Sequence, residues 1–534
     1  MAELILNADG IKNCAAWSEK DYRLPEYDRD AMIALTKAEP EWVHFGAGNI
    51  FKAFQCRALQ KLLNNGTVRK GVIAVERRKK GDDTHDGLTV AVTLKADGTV
   101  EKDVIGSIAE TCYLYGGEER LAEIFCAPTL KMVSFTVTEK AYSITDSVGS
   151  LTDEVTSDME AGPDKAASYM GKLTALLYAR YRRGALPVAM VSMDNCSHNG
   201  DKLKAAVTAF ADAWVGKGLA EEGFARYVHD GSRVSFPWTM IDKITPSPDM
   251  TVGAMLEKDG LHGFTPVRNE RGTVTAPYVN AEETEYLIIE DSFPNGRIPL
   301  DKAGIIYTDR ATVDKVERMK VTTCLNPLHT ALAVYGCLLG YDRIWEEMKD
   351  EELVRLIKTI GYKEGLPVVN DPGIIDPKEF IDTVVNVRLV NPFMPDTPQR
   401  IATDTSQKLP IRYGETIKAY MASDTLDVQQ LRMIPLVFAG WLRYLMAVDD
   451  DGNAFTPSPD PMLGEAQSYV AAFCLGQHIT VAAAMDKLSG LLSSEKVFGV
   501  DLVQCGLTER VCEYFAELIA APGAVRATLK KYTM

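Results

Sequence analysis

Residues 42–66 read WVHFGAGNIFKAFQCRALQKLLNNG. WVHF suits a short buried strand, the pair Gly46 and Gly48 a tight turn, and the following residues an amphipathic helix that stops at Gly66. GVIAVERR, at 71–78, is a second strand candidate. Alternation continues with a hairpin in TVAVTLKADGTV, strands in LKMVSFTVTEKAY and PVAMVSMDN, and a helix around KAASYMGKLTALLYARYRRG. Such alternation predicts an α/β fold, a doubly wound parallel sheet with helices on both faces. Beyond residue 305 helical periodicity takes over, over 328–360, 411–423, 427–448, 463–492 and 508–531. The expected organisation is a Rossmann-type domain over residues 1–305 and a mainly α-helical domain over 306–534, with residues 1–40 as an extended arm.

A chain of 534 residues exceeds what one core supports. Its 46% hydrophobic and 25% charged residues are ordinary for a globular enzyme. A formal charge of −16 argues against a nucleic-acid partner, since phosphate binding needs a basic face. No apolar run reaches the roughly 18 residues of a membrane span, and MAELILNADGIKNCAAW lacks the regions of a signal peptide. The ten cysteines have no C-x-x-C pair and suit reduced thiols of a cytoplasmic protein. Nothing in the sequence indicates an oligomeric state.

A G-x-G turn between strand and helix can seat a pyrophosphate on the helix N-terminus. Gly46 permits the turn and Gly48 a close backbone approach, while Phe51 occupies the third glycine position of the usual fingerprint. Glu76, at the end of the second strand, can accept the ribose hydroxyls of NAD and would repel a 2′-phosphate. Arg77 and Arg78 are taken as a solvated strand end. The cofactor set is Gly46, Gly48, Asn49, Ile50, Phe51 and Glu76, with NAD as cofactor.

A second informative stretch is RMKVTTCLNPLHTALAVYGCLLGY, residues 318–341. Lys320, Asn326 and His329 can remove a proton from an alcohol, hold the oxyanion and orient the substrate. With seven histidines and no H-x-x-x-H or H-E-x-x-H, no metal site is expected, and His198 and His44 are given structural roles.

Together these residues resemble the polyol-specific long-chain dehydrogenase family. The landmarks are YDRD at 27–30, VHFGAGNIFKAFQ at 43–55, VIGSI at 104–108 and VTEKAY at 137–142. They continue with SMDNCSHNG at 192–200, FPWTMIDKITP at 236–246, IEDSFPNGR at 289–297, LNPLHTAL at 325–332 and RIATDTSQKLP at 400–410. The resemblance implies a Rossmann-type domain, a helical domain and a zinc-independent site in the cleft between them. It implies Lys320 as general base, Asn195 and Asn326 as oxyanion partners, and His329 beside the substrate oxygen. It further implies Arg400 and Lys408 as substrate contacts, and Glu317 as a relay of protons to solvent.

One spacing departs from the family. Lys320 and Asn326 are six residues apart where members have five, and on an unbroken helix one extra residue rotates a side chain by about 100°. Two devices would absorb it: a π-bulge within 321–325, or a new helix with Asn326 as N-cap and Pro327 at its first position. The expected partner is a small-molecule sugar acid or polyol. Arg400, Lys408 and Arg412 in one segment favour fructuronate reduced to mannonate, with fructose and mannitol, or tagaturonate, as alternatives. A dinucleotide-binding sensor without turnover, or a metal-dependent isomerase or hydrolase, are readings from other classes.

Overall fold

The computed structural model describes residues 3–79, 83–268 and 274–534. The chain divides into two compact units, Met1–Asp314 and Lys315–Met534.

In the first unit six strands form one sheet: β1 (Trp42–Phe45), β2 (Val72–Glu76), β3 (Ile108–Tyr113), β4 (Met132–Phe135), β5 (Val188–Ser192) and β6 (Val234–Ser235). Their order is β3-β2-β1-β4-β5-β6 and every pairing is parallel. This is the doubly wound order whose strand reversal, between β1 and β4, opens a crevice at the carboxyl ends. Alternate residues of β1 and β2 go to opposite faces: Val43, Phe45, Ile73 and Val75 to one core, Trp42, Val72 and Ala74 to the other. Burial on both faces explains the near-continuous apolar strands. The hairpin is present as Thr89–Leu94 against Val100–Ile105.

The described part of the expected arm, residues 3–40, is not extended. A helix at Cys14–Ser18 carries the fully buried Trp17, and Tyr22–Arg23 pairs in parallel with Val100–Ile105. Helix Arg29–Ala38 starts where the Asp28 carboxylate accepts the Ala31 N–H at 3.0 Å. The polar surface of this segment hid its few anchors.

The second unit is helical. Several expected helices are shorter than their periodicity suggested, and glycines in the left-handed region account for the breaks. Gly340 (φ +75°) interrupts 328–360, Gly476 (φ +87°) lies in the gap within 463–492, and Gly523 (φ +80°) divides 508–531. Among the described residues no helix is long and apolar enough to cross a membrane. All ten cysteines are free.

Four π-helical turns lie in this unit, at Lys320–Cys324, Thr359–Gly365, Val384–Arg388 and Pro410–Gly414. The second carries Glu364, whose buried carboxylate accepts the backbone N–H groups of Arg432, Met433 and Ile434 at 2.7, 2.7 and 2.9 Å. These head the helix Met433–Leu445, so a remote side chain satisfies donors that a helix start leaves open.

Glu347 is fully buried. Gly336 makes room for it: a Cβ there would lie 2.1 Å from Glu347 Oε1 and 3.0 Å from Pro398 Cβ. Neither carboxyl oxygen has a hydrogen-bond partner among the described residues, and burial, with Asp350 nearby, holds its pKa well above the usual 4.5. The folded state therefore binds a proton that the unfolded state releases, and this contribution to stability falls as pH rises from about 4.5 towards the folded pKa. Glu347→Gln should match the wild type below that window. Within it, the variant should gain about 1.4 kcal/mol relative to wild type per pH unit. Urea denaturation at acidic and neutral pH measures the difference, and parallel pH profiles would show that Glu347 ionises without penalty.

Candidate active site

The glycine turn follows β1 directly. Gly46 has φ +92°, its N–H donates to Val75 O, and a Cβ would sit 2.3 Å from the Thr136 carbonyl oxygen. Only glycine fits there. At Gly48 a Cβ would meet nothing nearer than Gly46 O at 3.9 Å, so the space beyond it is open to a ligand. Helical residues begin at Asn49, and the Lys52 N–H reaches Gly48 O. First-turn N–H groups face the turn and suit a phosphate.

Other members of the expected cofactor set turn their side chains inwards. The Phe51 ring is fully buried and stacked on His44, centroids 3.8 Å apart. Asn49 Nδ2 donates to Pro246 O at 3.4 Å, and Ile50 packs on the core. Phe51, fully buried, can offer a cofactor only its backbone. His44 bonds Ser134 Oγ and Thr136 Oγ1 at 2.7 and 2.8 Å, and burial pushes its pKa down to about 3, so it is a neutral core residue.

Glu76 ends β2 and, with Ala47, Lys52, Thr111 and Tyr113, lines a cavity of about 540 Å³ within this unit. Arg77 and Arg78 are exposed and lie over the Tyr115 ring, at 5.5 and 5.0 Å. They do not line that cavity, whereas Glu76 does. The open space at Gly48 and an acid at the end of β2 fit a dinucleotide with unmodified ribose hydroxyls.

Asn195 is exposed on the turn after β5. The turn is held by Asp194, which accepts from Val137 N and Thr138 N at 3.1 and 2.8 Å and from the Tyr142 hydroxyl. His198 stacks on Trp238 and reaches Asp314 at 3.2 Å. Among the described residues no group of three His, Cys, Asp and Glu side chains gathers as a metal would need.

In the second unit Lys320 is 4% exposed and opens the first π turn, which closes with Leu325 N donating to Lys320 O at 3.1 Å. The wider turn stores the extra residue between Lys320 and Asn326. Helix Asn326–Leu338 begins at once, with Pro327 in its first turn; its N-cap is Leu325, one residue before the expected Asn326. Glu317 is half-buried on the helix Arg310–Met319, about one turn before Lys320.

His329 is largely buried, its Nε2 3.7 Å from Asp396 Oδ2. Burial, opposed by Asp396 and aided by Arg412, Arg388 and Arg400, lowers its pKa to about 4. It is therefore a neutral hydrogen-bonding group near neutral pH. The Arg400 guanidinium donates to Asp396, and Lys408 Nζ donates to the carbonyls of Ile401 (2.9 Å) and Thr403. Burial and Arg412 bring the Lys408 pKa down to about 8. Arg412, in the fourth π turn, donates to Thr330 Oγ1 and, at 3.4 Å, to Asn326 O.

Sequence reasoning missed Asp396 and Arg388. Asp396 stands four residues before Arg400, a helical pairing interval that was available as a signal. Arg388 ends the third π turn, and no local pattern announces it.

The glycine turn yields a paired test. Gly46→Ala should destabilise the protein by about 2–4 kcal/mol, through the left-handed backbone and the clash with a fixed carbonyl. Gly48→Ala should leave thermal stability near wild type but weaken NADH binding at least ten-fold, about 1.4 kcal/mol, as its methyl enters ligand space. Fluorescence titration with NADH reads the second effect, and unchanged affinity would remove this turn from the cofactor site.

Comparison with known proteins places this geometry. The mannitol dehydrogenase Rossmann-domain model matches residues 40–302, and the mannitol dehydrogenase C-terminal-domain model matches residues 312–519. A D-mannonate oxidoreductase of Thermotoga maritima is 48% identical over 538 residues, covering 98% of each chain. A mannitol 2-dehydrogenase of Aspergillus fumigatus is 28% identical over 94% of each. Among solved structures, Pseudomonas fluorescens mannitol 2-dehydrogenase in ternary complex with NAD and D-mannitol aligns with a TM-score of 0.67 and 25% identity, covering 98% of this chain and 99% of that one. With both halves matched and a relative nearly half identical from end to end, the chain belongs to the mannitol dehydrogenase family of oxidoreductases.

Proposed function

We propose that this protein is a zinc-independent, NAD-dependent oxidoreductase of a sugar acid, a fructuronate reductase that interconverts fructuronate and D-mannonate. The observation that carries the reading is the 48% identity, over nearly all of both chains, with a D-mannonate oxidoreductase. The cationic surroundings of His329 agree with an anionic substrate. Ten free thiols support a reducing, cytoplasmic location.

Gly46, Gly48, the first-turn backbone from Asn49 to Phe51, and Glu76 would hold NAD, which supplies hydride transfer. The protein's own groups handle the proton and the oxygen. In the oxidation direction neutral Lys320 takes the proton of the reacting hydroxyl, and Asn195 and Asn326 donate hydrogen bonds to the developing alkoxide. His329, neutral at working pH, orients the substrate oxygen without adding charge. Arg400 and Lys408 bind the rest of the substrate, and Glu317 passes the lysine's proton towards solvent. In reduction the same lysine, as ammonium, returns the proton.

Two measurements test the reading. Lys320→Ala should lower kcat by roughly 10²–10⁴-fold, with NADH affinity within a few-fold of wild type. A variant of near wild-type rate would place the base elsewhere. Fructuronate, tagaturonate and fructose should be compared with NADH and NADPH as reductants. Fructuronate with NADH should give the highest kcat/KM. Strong preference for fructose would make the protein a mannitol 2-dehydrogenase, and preference for NADPH would show Arg77 or Arg78 at the ribose.

A further inference from the structure

The three cations of segment 400–412 differ in what already neutralises them. The Arg400 guanidinium is committed to Asp396, whose carboxylate is 11% exposed, while the arginine itself is 62% exposed. A substrate anion there would compete with a fixed internal carboxylate and with water, and exposed ion pairs contribute little. Lys408 gives two of its three N–H bonds to the carbonyls of Ile401 and Thr403, which hold the ammonium in place.

Arg412 stands apart. Both of its hydrogen bonds leave through one terminal nitrogen, Nη1, and both acceptors are uncharged: Thr330 Oγ1 and Asn326 O. Among the described residues it forms no ion pair, and its Nε and Nη2 have no protein partner, although neither nitrogen is sealed from solvent. Burial without a counter-charge pulls its pKa down to about 10, so the guanidinium stays protonated at neutral pH. A largely buried guanidinium with no anion, and with one edge free, is a bidentate receptor for a carboxylate. Its location suits that task. It touches the backbone oxygen of Asn326, leaving the Asn326 amide for the reacting oxygen, and its charge is felt at His329. The carboxylate and the ketone of a hexuronate lie towards opposite ends of one short chain, so the acid-binding group belongs beside the oxygen-binding group and not on it.

We propose that Arg412, rather than Arg400, receives the substrate carboxylate and sets the preference for a sugar acid over a neutral polyol. This rests on the reading above that the substrate is a hexuronate. Asp396 then has a second task, keeping Arg400 in place as a ligand for hydroxyl groups.

The test compares Arg412→Gln, Arg412→Lys and Arg400→Gln with wild type, measuring kcat and KM for fructuronate with NADH, and NADH affinity as a check of folding. Arg412→Gln should raise KM for fructuronate by roughly 10- to 100-fold, the range of a lost charge-assisted contact, with a smaller change in kcat. Arg412→Lys should recover part of that loss, and Arg400→Gln should raise KM less than Arg412→Gln does. A fall in kcat at unchanged KM in Arg412→Gln would make Arg412 a strut for Asn326 and overturn the assignment, as would a larger KM effect from Arg400→Gln. Should Arg412→Gln fail to bind NADH, Arg412→Lys decides: a raised KM with kcat retained supports the proposal, and an unchanged KM overturns it. Failure of the underlying reading shows in the wild type itself, as reduction of fructose in preference to fructuronate, and overturns both.

Discussion

The π turn at Lys320–Cys324 is the constraint that sets Lys320 against the helix carrying Asn326 and His329. A π turn gives up regular helical hydrogen bonding to hold one extra residue, and it persists only where surrounding packing prevents relaxation. That packing is specific. Gly365 lies against Thr323, close enough that a Cβ would be 2.8 Å from its methyl. Thr416 Oγ1 faces Thr322 O at 3.5 Å, and the Cys324 thiol points at Pro377 O at 3.6 Å. Gly365 belongs to another π turn, and its neighbour Glu364 caps the helix Met433–Leu445. Lys320, Arg388 and Arg412 each sit in such a turn.

Charge is managed as tightly as backbone. A buried cation loses hydration that its surroundings must replace. Lys408 obtains that from two carbonyls, whereas Arg412 has only a hydroxyl and a carbonyl; Arg400, largely exposed, is paired with Asp396. Burial, aided by Arg412, Arg388 and Arg400, keeps His329 neutral. Glu347 solves the reverse problem by keeping its proton.

In the first unit the physics is that of a glycine turn at the switch point of a parallel sheet. Gly46 is dictated by a neighbouring carbonyl, whereas the space beside Gly48 is open. Phe51, in the place of a third glycine, stacks on the buried His44 and fixes the helix start by packing. That departure from the usual fingerprint is repaired by an aromatic contact between residues seven positions apart.

The sequence by itself determined the α/β then all-α order, the glycine turn with Glu76 at the end of the next strand, and the clustering of Lys320, Asn326 and His329 along the chain. Each depends on neighbours within a few residues or on periodicity, which local chemistry controls. The unusual spacing before Asn326, together with Pro327, already demanded a break in the helix. Tertiary structure alone decided that a π turn and a helix restart at Asn326 form one after the other, with Gly365, Thr416 and Pro377 packed against the π turn. It also decided that residues 3–40 fold onto the first unit, where Trp17 finds a core that no local pattern encodes. The charge states of His329, Lys408 and Glu347 lay beyond the sequence for the same reason. They depend on burial and on charges brought together across many positions, and desolvation is a property of the assembled fold, not of a residue's identity.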